Sequence, residues 1–128
     1  MADEVLNLLC SSAKLDRDRG VAELSKYLKT IDASLVQGLE SAIEGLLCDS
    51  LAPWESRHGG LMGTKHLLLN ETHACSDHFA DISKDHAMKL LEDEESRVRL
   101  GAGEISKEEV STTYTHILFI CLEILYML

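Results

Sequence analysis

Asp16-Arg17-Asp18-Arg19-Gly20-Val21-Ala22, Ser56-Arg57-His58-Gly59-Gly60-Leu61-Met62 and Ser96-Arg97-Val98-Arg99-Leu100-Gly101-Ala102 are three versions of one segment, set 40 residues apart. Each opens on a residue able to cap a helix, continues with Arg, and becomes a helix start rich in small residues. Gly63 and Gly103 share the spacing. Each segment follows an apolar run (Leu8-Leu9, Leu46-Leu47 or Leu90-Leu91) that ends near an acidic turn. Self-similarity near 40 residues with two helices per unit is the mark of stacked helical hairpins, because one hairpin cannot bury its apolar faces alone.

Apolar spacing on either side of these segments predicts six or seven helices. The first spans Asp3 to about Ser11. The second follows Asp16 and carries Val21, Leu24, Leu28 and Ile31. Asp32 caps a third, whose stripe is Leu35, Leu39, Ala42, Ile43, Leu46 and Leu47. Pro53 suits the first turn of a fourth, reaching about Leu69 with Leu61, Lys65, Leu68 and Leu69 on one side. After a polar connection at 70–76, a fifth follows Asp77 with Phe79, Ile82, Ala87, Leu90 and Leu91. A sixth covers Ser96 to Ile105, and a last, strongly apolar helix runs from about Lys107 to Leu128. Short connections make neighbours antiparallel. The units expected are 3–31, 32–70 and 77–106 within a single domain, 1–128, closed by the apolar helix 107–128.

Composition narrows the function. The chain has 128 residues, one proline, 5% aromatics and a net charge of −10. That balance favours helix over sheet and argues against nucleic acid, whose phosphates call for clustered Lys and Arg. The start Met1-Ala2-Asp3-Glu4 lacks the apolar core of a signal peptide. The cysteines Cys10, Cys48, Cys75 and Cys121 form no C-x-x-C pair, and Cys10, Cys48 and Cys121 lie in apolar helical runs where thiols act as small buried hydrophobes. A reduced intracellular compartment is expected, cytoplasmic in the first instance and nuclear in the second, which leaves Asn70-Glu71-Thr72 without a role as a glycosylation sequon. The apolar run of about 12 residues from Ile117 to Leu128 falls short of the ~20 needed to span a bilayer.

Leu90-Leu91-Glu92-Asp93-Glu94-Glu95-Ser96-Arg97-Val98-Arg99 resembles the HEAT repeat, with Asp93 in the turn and Val98-Arg99 opening the second helix. The segment at Pro53-Trp54-Glu55-Ser56-Arg57-His58 is similar, with His58-Gly59 in place of Val-Arg. The resemblance covers about 100 residues, Val5 to Ile105. It implies an all-α fold, a right-handed α-solenoid of about three antiparallel hairpins of HEAT or armadillo type. It further implies a non-catalytic scaffold that binds other proteins, with no cofactor, and a role for Asp93 and Arg99 in linking adjacent repeats. Gly60, Gly63, Gly101, Ala102 and Gly103 would allow close helix approach.

Other chemistry is weaker. His73-x-Cys75-x-x-His78 offers three metal ligands without a fourth. Glu55-x-x-His58 is half of a carboxylate di-iron motif with no second half. Cys75 as a nucleophile would need an activating His. Protein-binding residues are expected at Trp54, Arg57, His58 and Arg97, and at Phe119, Leu122 and Tyr126 on the last helix. That helix is expected to be covered by a partner, by a second copy or by continuation of a longer chain. The alternative functions are a metal-dependent enzyme and a helical bundle dimerising through the C-terminal helix.

Overall fold

The computed structural model describes the backbone of residues 2–127, and their side chains except at 107–120, 122 and 123. It contains helices α1 (Ala2–Leu9), α2 (Lys14–Thr30), α3 (Ala33–Cys48), α4 (Trp54–Leu68), α5 (Asp77–Leu90) and α6 (Ser96–Met127), and no strand among the described residues.

Local chemistry sets the boundaries. Asp32 Oδ1 accepts the Ser34 N–H at 3.1 Å, satisfying an otherwise orphan donor at the start of α3. Pro53, with no N–H to lose, directly precedes α4. Ser76 Oγ accepts the Phe79 N–H at 3.1 Å and caps α5. A residue of α3 reinforces this cap. The buried carboxylate of Glu40 accepts the Ser76 N–H at 3.0 Å and the Ser76 hydroxyl at 2.8 Å. A negative group there also complements the positive end of the helix dipole.

Consecutive helices pack as α1 with α2, α3 with α4 and α5 with α6. Between these pairs, α1 and α2 rest on α4, α3 rests on α5, and α4 rests on α6. Helix α4 touches all five others. One apolar cluster gathers Val5, Leu9, Leu24, Leu28, Leu39, Ile43 and Phe79. A second gathers Leu47, Leu61, Ala87, Val98, Ala102 and Ile105. Met62 packs against both.

Glycine allows the closest crossings. A Cβ on Gly20 would lie 2.8 Å from the Leu9 backbone nitrogen, and one on Gly59 2.8 Å from the Leu9 carbonyl oxygen. Gly60 and Gly63 press on Leu46, Leu47 and Ile43, whereas Gly101 and Gly103 make ordinary contacts.

Several expected positions shift. The buried stripe of α3 is Val36, Leu39, Glu40, Ile43 and Leu47, and Leu35 is exposed. Glu40 can take a place in that stripe because its carboxylate is satisfied by Ser76. On α4 the buried side is Gly59, Gly60, Leu61, Gly63, Thr64 and Leu67, and Leu69, just past its end, is exposed. The two helices expected at 96–105 and 107–128 are one continuous helix, because Ser106-Lys107-Glu108-Glu109 contains neither Gly nor Pro to interrupt it. Cys48 and Cys121 are exposed, so burial does not explain those two thiols, whereas Cys10 is half-buried and burial pushes its pKa up.

Candidate interaction surface around Trp54

Three arginines hold the same place in three helices. Arg17, Arg57 and Arg99 are each the fourth residue of α2, α4 and α6, and each folds back over the turn before its helix. Arg17 Nη1 donates to the carbonyls of Ser11 at 2.9 Å and Ser12 at 3.0 Å. Arg57 Nη1 donates to the Ala52 carbonyl at 2.8 Å. Arg99 Nη1 donates to the carbonyls of Asp93 at 2.7 Å and Glu94 at 3.0 Å. The structural spacing is therefore 40 and then 42 residues. Arg99, and not Arg97, is the counterpart of Arg17 and Arg57. A charged fork on backbone carbonyls is a strong way to pin a turn.

Arg57 has a second task. Its Nε and Nη2 donate to Asp93 Oδ2 and Oδ1 at 2.7 and 3.3 Å, joining α4 to the turn before α6. The two side chains are only 13% and 8% exposed, so Arg57 faces inward and its guanidinium is committed. Burial alone would raise the Asp93 pKa. The Arg57 hydrogen bond, the Glu95 N–H, and the charges of Arg57 and Arg99 together override it and hold the carboxyl below its ordinary value.

Arg97, the second residue of α6, takes a different direction. Its guanidinium lies 3.9 Å from the Trp54 ring centroid, and that of Arg17 lies 5.1 Å away. Trp54 is half-buried, neither sealed in nor free. His58, one turn along α4, meets it edge-on with centroids 5.8 Å apart. Burial first, then the charges of Arg17 and Arg97, pushes the His58 pKa below its ordinary value, against the opposing carboxylates of Glu104 and Asp18. Its Nδ1 is buried and without a hydrogen-bond partner among the described residues. The helix starts of three hairpins thus converge on one aromatic ring. Arg17 is buried, while Arg97 is 55% exposed and is also held by Glu95 at 2.8 Å.

The structure thus brings Trp54, His58 and Arg97 together, adds Arg17, and turns Arg57 away toward Asp93. Arg17 carries no distinguishing signal beyond its place in the repeat. Tyr126 is 96% exposed on α6, while Phe119 and Leu122 lie outside the described side chains. The histidines and cysteine of the 73–78 segment do not bring three ligand atoms to one point. His73 and His78 line a groove of about 910 Å³ beside α3. His73 Nε2 is 3.0 Å from the Ile31 carbonyl oxygen. Cys75 packs on the first apolar cluster, where burial and then Glu40 push its thiol pKa up, the reverse of an activated nucleophile. Among the described residues, the Glu, Cys and His atoms that converge are those of Glu44, Cys48 and His86, a set whose i, i+4 half was readable on α3.

The chain matches no protein-family model, no curated protein and no solved structure. No helix among the described residues is long and apolar enough to cross a membrane.

Proposed function

We propose that this chain is a HEAT-type α-solenoid segment that serves as a protein-interaction scaffold, and that Trp54 with Arg97 is the centre of its contact surface. The observation that carries this is a half-exposed tryptophan holding two guanidiniums where three helix starts meet. Trp and Arg are the residues most often found to dominate interface energetics, because both give large contact area and directed polar contacts. The ring is pre-positioned by its neighbours, so a partner spends little entropy in ordering it. Three hairpins each closed by an equivalent arginine support the solenoid architecture.

The test uses the full chain as bait in quantitative affinity capture from a cell extract. Arg97→Glu and Trp54→Ala are compared with the exposed control Lys26→Ala. Loss of the same specific partners from the first two baits alone is expected. Trp54 is the chain's only tryptophan, so a purified partner should also shift its fluorescence. Identical capture by all baits would reject this surface.

A second reading rests on the exposed Ile124, Leu125, Tyr126 and Met127 of α6, four neighbours that leave apolar area in water. Self-association through them would make the mass from light scattering rise with concentration, and Leu125→Glu would lower it. A monomer at every concentration would refute this reading.

A further inference from the structure

Helix α3 presents Glu44 and Cys48 one turn apart on one face, and His86 approaches them from α5. One ligand atom from each lies within 4.8 Å of the others, and Cys48 Sγ is 3.2 Å from His86 Nε2. We propose that Glu44, Cys48 and His86 form a zinc-class metal site that clips α3 to α5. This inference is independent of the interaction surface at Trp54.

The donor set selects the metal. A thiolate with an imidazole suits a borderline-soft ion such as Zn²⁺ and disfavours Mg²⁺ and Ca²⁺, which take oxygen ligands. Tetrahedral zinc with its usual Zn–S and Zn–N lengths sets sulfur and nitrogen about 3.6 Å apart. The 3.2 Å between Cys48 and His86 opens to that by a small side-chain rotation, which Cys48, exposed at the end of α3, is free to make. Three protein ligands leave the fourth position to water, the pattern of accessible rather than sealed zinc sites. Cys48 and His86 also line a recess of about 450 Å³ with Asp93 and Glu94, through which an ion and its water can enter. On binding, the Cys48 thiol gives its proton to solvent and the thiolate bonds the metal, while His86 binds as neutral imidazole. Because α3 belongs to the second helix pair and α5 to the third, the ion would lock two pairs together.

The experiment titrates the reduced, metal-free full chain with Co²⁺ and then displaces it with Zn²⁺. One equivalent should give a thiolate-to-cobalt charge-transfer band and the visible bands of a low-symmetry ion. Cys48→Ser should abolish the band. Cys48→Ser and His86→Gln should each weaken zinc affinity by at least about 100-fold, beyond the loss usual for outer-shell changes. Cys75→Ser with His78→Gln should change neither. Alkylation of the unmodified chain, read by mass spectrometry, provides a check that needs no variant. One equivalent of Zn²⁺ should protect Cys48 and leave the exposed Cys121 reactive. Absence of the band in the unaltered chain, its survival in Cys48→Ser, unchanged zinc affinity in His86→Gln, or equal alkylation of Cys48 with and without zinc would each overturn the site.

Discussion

Single residues in this molecule carry opposite consequences for the same chemical change. Gly59 meets the Leu9 carbonyl so closely that a methyl group must move backbone. Gly59→Ala is therefore expected to destabilise by about 1–3 kcal/mol, the usual cost of overpacking. Gly38 and Gly45 have open space where their Cβ would stand and lie exposed on α3. Alanine at either should stabilise by about 0.5–1 kcal/mol through lower unfolded-chain entropy. Urea midpoints of the three variants check both signs. His58 adds a pH dependence. Its folded pKa lies below the ordinary 6.5, so an unfolded chain accepts a proton there that the folded one refuses. The contribution of His58 to stability is intact above 6.5 and falls as pH drops from there toward the folded pKa. His58→Gln should flatten that part of the stability–pH curve. His66, also held low by burial and then by Lys65, persists as the common background. An unchanged slope would show that neither burial nor the charges of Arg17 and Arg97 keep this imidazole from charging.

At the scale of helices and turns, the central link is Arg57 with Asp93. Removing either partner strands a largely buried charge, so Asp93→Ala and Arg57→Ala should each cost about 1.5–3 kcal/mol. The double variant should cost clearly less than their sum, as a thermodynamic cycle would measure. The depressed Asp93 pKa makes this stability complete above its ordinary 3.8 and lost as pH falls through the folded value. Much of this scale was legible in advance. The Asp32 cap, the Pro53 boundary and the Asp93 turn are local signals, and the structure has them where the chain announces them. The even 40-residue spacing was misleading in its third copy. The Ser-Arg pair of Ser96-Arg97 imitates Ser56-Arg57, yet the residue that closes the turn is two places later. The displaced Arg97 is the one that reaches Trp54. Glu40, likewise, is a charged residue within a helical stripe, and sequence alone could not name Ser76 as its distant partner. The Cys48–His86 approach was illegible for the same reason, since the register of α3 against α5 is a tertiary fact.

Across the whole molecule three pairs of consecutive helices pack together, and one helix, α4, touches all the others. In a linear array each unit leans only on its neighbours, and ends can fray independently. As a member of the middle pair, α4 reaches every other helix, and Met62 on it packs against both apolar clusters. Replacing the partly buried Met62 with Ala should therefore lower stability by about 2 kcal/mol, the low end for Met-to-Ala changes. Calorimetry should return a van't Hoff enthalpy equal to the measured heat, the signature of a single all-or-none transition. Two separable heat-absorption peaks would show that the clusters melt apart. The helix with the least conspicuous sequence, rich in glycine and broken by histidines, is thus the keystone. A protease nick inside it would not trim the molecule from one end but would leave both remaining stretches of chain without the wall each was built against.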